Sequence, residues 1–192
     1  MKLLIIEGPD RCGKNTLIRN LTSQAENYTV RHFGPAKGEN DTEKRNFQFQ
    51  SFKKEFELAS MRSQFANSDK ERYPRDIWIW NRAHLGEFVY GKLYRETYPE
   101  EWVMQMETLF GINLDPSIYL ILLTAPADFL CKNDDGLSFS NDVNNKTEEI
   151  EAFLNAFHKS KIINKKIINV SDGENYRNPK SILEEVNKFL FS

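Results

Sequence analysis

The sequence is poor in cysteine and histidine and has no excess of either charge. It contains two cysteines and three histidines in 192 residues, at spacings that suggest neither a disulfide framework nor structural zinc. Its 26 Lys and Arg stand against 28 Asp and Glu, which gives a net charge of -2. A protein that follows a long run of nucleic-acid phosphates needs a basic surplus. The charge balance therefore disfavours polymeric nucleic acid as a partner.

Long hydrophobic runs are also missing. The apolar run at residues 3–6 stops at Glu7, and it is too short for a signal peptide or a membrane span. We therefore expect a cytoplasmic protein without a membrane partner.

The 40% of hydrophobic residues is enough for one core, and the length of 192 residues predicts a single domain over residues 1–192.

Short apolar segments alternate with amphipathic segments along the chain. Strands are predicted at residues 3–6, 28–33, 77–80, 118–123 and 166–170. Helices are predicted after the glycine-rich turn that follows the first strand and at residues 47–65, 84–94, 99–110, 127–132, 147–161 and 179–191. Residues 38–44 are polar and predicted to be mobile, and residues 133–145 form a long loop of the kind that carries function. This alternation predicts an α/β fold with a five-stranded parallel sheet flanked by helices.

A glycine-rich turn follows the first strand. Residues 8–16 read Gly-Pro-Asp-Arg-Cys-Gly-Lys-Asn-Thr, which matches G-x-x-x-x-G-K and lacks only the Ser or Thr that usually follows. A buried strand precedes this turn and an amphipathic helix begins within it, so it is predicted to be a phosphate-binding P-loop. The alternative is a strand-to-helix turn without a ligand. The residues predicted to contact phosphate are Gly8, Asp10, Arg11, Cys12, Gly13, Lys14, Asn15 and Thr16.

Individual side chains of the P-loop have distinct predicted roles. Lys14 would bridge the β and γ phosphates of a nucleotide, and the Thr16 hydroxyl could donate to a phosphate oxygen. Asn15 stands where a Ser or Thr usually reaches Mg²⁺, and an amide oxygen can also bind this ion. The neighbouring cations and the helix N-terminus favour a thiolate at Cys12. We nevertheless interpret this cysteine as a small loop residue without a catalytic role.

Two motifs carry a resemblance to a known family. Glu-Gly-Pro-Asp-Arg-Cys-Gly-Lys at residues 7–14 resembles the P-loop of thymidylate kinases, and Asn-Arg-Ala-His-Leu-Gly-Glu-Phe-Val-Tyr at residues 81–90 resembles the version in bacteriophage nucleotide kinases. The similar order and spacing of elements extends along nearly the whole chain. The resemblance implies a P-loop NTPase fold with a lid near residues 133–145, ATP as phosphoryl donor, Mg²⁺ as cofactor and, in many members, a homodimer. For a viral protein it also implies the host cytoplasm.

The resemblance further implies an activity, the transfer of the γ-phosphoryl group of ATP to a deoxynucleoside monophosphate. The favoured acceptor is dTMP or a related pyrimidine deoxynucleotide. Several deoxynucleotides and a modified pyrimidine such as 5-hydroxymethyl-deoxyuridylate are also compatible with the sequence. Two alternatives stay open: a P-loop protein that binds nucleotide without phosphotransfer, and a kinase that acts on a polynucleotide end.

Site residues also follow from the resemblance. Arg82 matches the arginine that holds the acceptor phosphate, and Asp10 matches an acidic group near the acceptor sugar. The predicted lid contains no arginine, so Arg11 is the expected catalytic cation, together with Lys14 and Arg82. Asn81 replaces a family aspartate, so Asn15 and Asn81 form the predicted metal pair. The predicted acceptor-binding set is Asp10, Phe33, Arg62, Arg82, His84, Glu87 and Tyr90.

Overall fold

A computed structural model of the protein describes residues 2–24, 27–68, 77–95 and 102–191. Within these ranges the strands are β1 (Lys2–Glu7), β2 (Tyr28–His32), β3 (Ile77–Asn81), β4 (Ile118–Thr124) and β5 (Asn164–Asn169). The α-helices are α1 (Lys14–Thr22), α2 (Asp41–Ser68), α3 (His84–Tyr94), α4 (Val103–Leu109), α5 (Ala127–Lys132), α6 (Val143–Lys159) and α7 (Pro179–Phe191). A short 3₁₀ helix spans Ile112–Leu114.

The five strands form one parallel sheet in the order β2-β3-β1-β4-β5. In β1, residues 3–6 are at most 2% exposed, because helices cover both faces of the sheet. A strand buried on both faces is continuously apolar, which is why its sequence shows no alternation. Ile6 of β1 pairs with Asn81 of β3, and Asn81 pairs with His32 of β2. The predicted α/β fold with a five-stranded parallel sheet is confirmed.

Two apolar cores hold the helices against the sheet. One face packs against α2, α3, α4 and α6 and is rich in aromatic rings, with Trp80 of β3 between Phe33 and Phe56 at centroid distances of 5.5 and 5.4 Å. The opposite face packs against α1, α5 and α7 through aliphatic residues such as Leu17 and Val186. Because the aromatic core lies directly beneath the carboxyl ends of β2 and β3, it fixes the backbone from which the polar side chains at that edge project.

Helix α2 begins at Asp41, which corrects two sequence predictions. The sequence predicts that the polar segment at residues 38–44 is mobile and that the helix starts at residue 47. Instead, the Asn40 side chain accepts a hydrogen bond from the Glu43 N–H at 3.0 Å, and the Glu43 carboxylate accepts from the Glu39 N–H at 2.9 Å. This reciprocal arrangement satisfies backbone donors at a helix start. The polar residues therefore extend the helix.

The other element boundaries differ by smaller steps. Helix α6 begins at Val143 because the Asp142 carboxylate accepts from the N–H groups of Asn144 and Asn145, so the predicted loop at 133–145 is shortened to residues 133–142, which we call the lid segment. Strand β5 begins at Asn164, two residues before its predicted start, because its ladder with β4 includes the polar residues that precede Ile167. The predicted helix at 99–110 begins outside the described residues and is observed at Val103–Leu109. The predictions for α3, α5 and α7 are confirmed.

Helix length and polarity also bear on membranes. Among the residues that the structure describes, no helix is both long enough and apolar enough to cross a bilayer. The longest, α2, carries Asp, Glu, Lys and Arg within its first turns.

Candidate functional site

The P-loop connects the carboxyl end of β1 to the N-terminus of α1. Gly8 has φ of +139°, and a Cβ at this position would lie 2.2 Å from the Leu123 carbonyl oxygen, so no other residue fits. Gly13 has φ of +71° and precedes the first helical residue, Lys14. The two glycines thus allow the chain to curl at the sheet edge and to enter α1 with its N–H groups facing the loop interior.

Lys14 lies inside this curl. Its Nζ donates to the carbonyl oxygens of Gly8 and Pro9, both at 2.6 Å, and the residue is 5% exposed. Burial lowers the pKa of the Lys14 ammonium, and the nearby Cys12 and Asp10 act in the opposite direction. An anion at the mouth of the loop would add attractive charge and offset that desolvation. The loop therefore already holds a cation where a phosphate group would need one.

A cavity of about 760 Å³ opens directly in front of the loop. One end is lined by the P-loop and the first turn of α1, and the other by the segment between β5 and α7, including Tyr176, Arg177 and Pro179. The lid segment contributes Asn133, Asp135, Leu137 and Ser138 to the same cavity. Clefts of this size commonly bind small ligands. Its position outside the carboxyl ends of parallel strands is where open α/β sheets bind them.

Arg82 and Asp10 meet at the rim of the cavity. Arg82 Nη2 lies 2.8 Å from Asp10 Oδ1, and 53% of the arginine side chain is exposed. Arg82 has φ of +60°, a conformation that costs free energy in a residue with a side chain, and its N–H donates to the Ile6 carbonyl at 3.1 Å. The exposed guanidinium thus projects from a strained, hydrogen-bonded backbone at the end of β3. Both predicted residues come together at one position.

Arg11 projects from the other side of the loop. It has φ of +69° and forms an ion pair with Asp135 of the lid segment. The Tyr176 hydroxyl donates to the Arg11 carbonyl oxygen at 2.7 Å, so the unusual backbone conformation is held by a side chain from the loop after β5. Arg11 and Asp135 therefore lie in contact, and both line the cavity.

Asn15 and Asn81 also come together, as expected for the predicted metal pair. Asn81 Nδ2 donates to Asn15 Oδ1 at 2.9 Å, and it lies 2.8 Å from His32 Nδ1. Asn81 is 3% exposed, and its Oδ1 has no hydrogen-bond partner. Among the described residues, no group of three or more His, Cys, Asp or Glu side chains could hold a metal ion. A cation at this corner would therefore depend on amide oxygens, the single imidazole of His32, phosphate oxygens and water.

Tyr90 of α3 lies close to the Arg82 and Asp10 pair. Burial raises its pKa well above the ordinary value, with a further contribution from Asp10, and its hydroxyl is buried without a hydrogen-bond partner. Phe139 of the lid segment stacks on Tyr90 and on Tyr94, at centroid distances of 5.1 and 5.0 Å. The Tyr90 ring is therefore covered by Phe139 and Tyr94, and its hydroxyl is an unused donor close to the Arg82–Asp10 pair.

Three predicted acceptor residues lie elsewhere. Phe33 is buried and packs on Phe52 and Trp80 in the core. The Arg62 guanidinium lies over the Trp78 ring at 4.3 Å, three residues before the carboxyl end of β3. Glu87 is buried and pairs with Arg95 at 2.5 Å. The structure does not bring these residues to the cavity, because each is engaged in packing or ion pairing on the face of the sheet that α2 and α3 cover.

His84 is fully buried as well. Its Nε2 donates to Glu107 Oε1 at 2.7 Å, and Glu107 also accepts from the Lys161 N–H at 2.6 Å, so this pair ties α3 to α4 and to the end of α6. The nearby Glu7 accepts from the N–H groups of Leu85 and Gly86, at the start of α3. His84 therefore acts as a buried structural partner, which corrects its prediction as an acceptor contact.

This assignment predicts the effect of His84→Ala. Removing one member of a buried pair leaves the other short of a partner, so we expect a loss of about 3 kcal/mol in the free energy of unfolding. Urea denaturation of the variant and the wild type measures this loss. In the fraction that folds, the KM for any monophosphate should stay unchanged. Wild-type stability with a raised acceptor KM would instead restore the prediction of an acceptor contact.

Cys12 does not have the reactivity that its charged neighbours suggest. The residue is fully buried, and burial raises the pKa of its thiol to about 12 despite the opposing effect of Lys14. The predicted preference for a thiolate is therefore wrong, because desolvation outweighs the nearby cations. The interpretation as a small loop residue without a catalytic role agrees with this environment.

Sequence reasoning missed four residues of the site. They are His32, Asp135, Phe139 and Tyr176, which touch Asn81, Arg11, Tyr90 and the Arg11 carbonyl, respectively. For His32 a signal existed, since neighbouring parallel strands end at the same edge and His32 closes β2 as Asn81 closes β3. The other three lie on loops, whose path no periodicity predicts.

Comparison with known proteins identifies the fold. No protein-family model and no curated protein matches the chain. The fold is similar to that of the YorR protein from Bacillus subtilis, solved in complex with phosphorylated GDP, with a TM-score of 0.60 and 14% identity over 98% of this chain and 95% of that one. Thymidylate kinase from Candida albicans gives a TM-score of 0.58 and 15% identity over 98% and 90%. The chain therefore has a thymidylate-kinase-like P-loop fold.

Proposed function

We propose that the protein is a nucleoside monophosphate kinase that transfers the γ-phosphoryl group of ATP to a deoxynucleoside monophosphate, with dTMP or a related pyrimidine nucleotide as the favoured acceptor. The observation that carries this proposal is the convergence of Lys14, Arg11 and the Arg82–Asp10 pair at one cavity. Two separate phosphate sites need two separate cationic groups. Lys14 supplies one at the start of α1, after the P-loop, and Arg82 supplies the other at the end of β3, the strand that neighbours β1.

Each residue has a role in this reaction. The P-loop N–H groups and Lys14 bind the donor phosphates, and Arg82 holds the acceptor phosphate with a fork that matches two oxygens. Arg11 supplies positive charge to the phosphoryl group in transit, as expected when the lid contains no arginine. Asp10 orients Arg82 and lies close to Tyr90, on the side where the acceptor sugar would bind.

The fold family implies Mg²⁺, and the corner at Asn15 and Asn81 fits this ion. Asn81 Oδ1 is a buried acceptor without a partner, and a half-turn of its amide would bring it beside Asn15 Oδ1, which supplies a second amide oxygen. Hard cations prefer oxygen ligands, and the ATP phosphates carry most of the negative charge that retains them. Bound there, Mg²⁺ supplies charge neutralisation on the phosphates. Thr16, exposed in the first turn of α1, is placed to donate to a phosphate oxygen.

Arg82→Ala should weaken the binding of the acceptor monophosphate and leave the binding of ATP unchanged. We expect the KM for the monophosphate to rise at least about tenfold, because a hydrogen bond to a charged group contributes about 1.5–3 kcal/mol. Steady-state kinetics with each substrate varied in turn measures this. Arg82→Lys keeps the charge without the forked guanidinium, so its KM for the monophosphate should lie between those of the wild type and Arg82→Ala. An equal rise in both KM values would argue against an acceptor site at Arg82.

Asn81→Asp should lower the requirement for metal. A carboxylate at this position adds negative charge to a site that now depends on amides, so the half-saturating Mg²⁺ concentration should fall with turnover preserved. Titration of Mg²⁺ at fixed ATP in both proteins measures the change. An unchanged half-saturating concentration would show that residue 81 does not bear on the ion.

The proposal as a whole is tested by an assay of ADP release from ATP with each common nucleoside monophosphate. We expect release with at least one deoxynucleotide and none with single-stranded or duplex oligonucleotides that carry a free 5′ end. Activity confined to oligonucleotides would favour the polynucleotide-end kinase. Saturable nucleotide binding without transfer at high Mg²⁺ or Mn²⁺ would favour the binding protein, a candidate that the two asparagines at the metal corner motivate.

A further inference from the structure

Three side chains meet at the carboxyl edge of the sheet, beside the P-loop. Asn81 closes β3, His32 closes the neighbouring β2 in register with it, and Asn15 lies in the first turn of α1. Asn81 Nδ2 is 2.9 Å from Asn15 Oδ1 and 2.8 Å from His32 Nδ1. His32 is exposed at the edge strand, whereas Asn81 is buried.

The hydrogen bonds fix which atoms carry lone pairs toward this corner. An amide nitrogen can only donate, so Asn15 Oδ1 and His32 Nδ1 are both acceptors. Two lone pairs thus converge on one point, which the NH₂ group of Asn81 occupies. The other amide atom of Asn81, Oδ1, is buried without a donor. A buried acceptor without a partner costs free energy, so this orientation of the amide is unfavourable for Asn81 Oδ1.

A half-turn of the Asn81 amide exchanges its oxygen and nitrogen. The oxygen then takes the place of the NH₂ group beside Asn15 Oδ1 and His32 Nδ1, so that, with the Asn15 amide unturned and the His32 proton on Nε2, three acceptors lie side by side and none of them donates. A divalent cation satisfies such a set, whereas a hydrogen-bond donor satisfies only part of it. The set differs from an all-oxygen magnesium site in one respect, which is the imidazole nitrogen.

That nitrogen changes which ion is favoured. Mg²⁺ prefers oxygen ligands and binds few nitrogens, whereas later divalent ions gain affinity from imidazole, and affinity in a mixed N/O site rises from Mn²⁺ onward. We propose that His32 is a specificity-determining residue of the metal site, which binds the nucleotide-bound cation through Nδ1 and shifts its preference from Mg²⁺ toward Mn²⁺ and similar ions. The inference rests on the proposed function only in requiring that a nucleoside diphosphate bind at the P-loop.

The test uses the full-length protein with ADP and Mn²⁺. Titration followed by the electron paramagnetic resonance signal of free Mn²⁺ gives the affinity of the protein–ADP complex for Mn²⁺, and competition gives that for Mg²⁺. We expect the complex to favour Mn²⁺ over Mg²⁺ about tenfold more than free ADP does, at the low end of what groups that tune a metal site contribute. Pulsed electron paramagnetic resonance should also detect coupling of the Mn²⁺ electron spin to an imidazole nitrogen.

Three variants separate a ligand from a positioning residue. His32→Ala should lose the nitrogen coupling and the extra selectivity. His32→Gln keeps an acceptor for the Asn81 amide but offers oxygen as the donor atom, so it should lose both as well. His158→Ala is the matched control, because His158 is exposed on α6, and it should behave as the wild type. If His32→Gln retained the wild-type selectivity, His32 would only position Asn81 and the inference would fail.

The outcomes also separate this inference from the proposed function. A protein that phosphorylates a monophosphate but shows no nitrogen coupling, and no selectivity beyond that of free ADP, overturns the role of His32 and leaves the kinase standing. Selectivity that depends on His32, in a protein without transfer activity, supports the metal role and overturns the kinase. Failure of the ADP complex to bind Mn²⁺ more tightly than free ADP overturns the role of His32.

Discussion

Lys14→Ala is expected to lower the turnover number at least about a thousandfold while the protein stays folded. The ammonium lies in the curl of the P-loop, 2.6 Å from two carbonyl oxygens, and a bound phosphate would attract it into the cavity. Charge that follows the migrating phosphoryl group stabilises the transition state more than the ground state, so kcat should fall further than ATP affinity. Steady-state kinetics combined with direct ATP binding measures both quantities.

The fold should tolerate this change. The variant loses two hydrogen bonds of about 1 kcal/mol each, but it also loses a buried ammonium, whose burial is costly enough to lower its pKa. For a chain of this length, 1 kcal/mol corresponds to about 2–4 °C in Tm, so the shift should stay within about 10 °C. Lys188→Ala, at an exposed position on α7, is the control for general effects of removing a lysine. A folded Lys14→Ala protein with wild-type turnover would overturn the site assignment.

The fold was largely predictable because its signals are local. The uninterrupted apolar run of β1, the glycines of the P-loop and the amphipathic pattern of the helices are each read from neighbouring residues, and together they predict a parallel sheet. The start of α2 was missed because Asn40 and Glu43 form a cap in a segment that composition alone marks as polar. Capping depends on the spacing of two side chains, which a search for apolar periodicity does not detect.

The site was predictable only where the family motifs specify positions. The resemblance places Asp10 and Asn15 in the P-loop region and Asn81 and Arg82 at the end of β3, and the structure brings Asn15 to Asn81 and Asp10 to Arg82. The residues after Arg82 were misjudged, because a helix that starts at a strand end turns one side inward. His84 and Glu87 lie on that side, and burial with Glu107 and Arg95 removes them from the cavity.

Arg11→Ala should reduce kcat about a thousandfold or more and change the KM for ATP only a few-fold, because a cation aimed at the transferred phosphoryl group acts on the transition state. A thousandfold loss corresponds to about 4 kcal/mol of activation free energy. The Arg11 ion pair with Asp135 is partly exposed, and pairs of this kind contribute at most about 1 kcal/mol. Loss of the lid contact therefore cannot account for an effect of the expected size.

Asp135→Asn breaks the same ion pair by removing the carboxylate and leaving the cation of Arg11 in place. The arginine stays in place and loses its competing carboxylate, so kcat should equal or exceed the wild-type value, and stopped assays at saturating ATP measure it. Arg11→Lys keeps a charge at the position and should retain more activity than Arg11→Ala. If Asp135→Asn lost as much turnover as Arg11→Ala, the pair itself would be the important feature, since both variants remove it and only one removes the cation. Arg11 would then hold the lid segment in place, and charge for the transferred phosphoryl group would have to come from Lys14 and Arg82 alone.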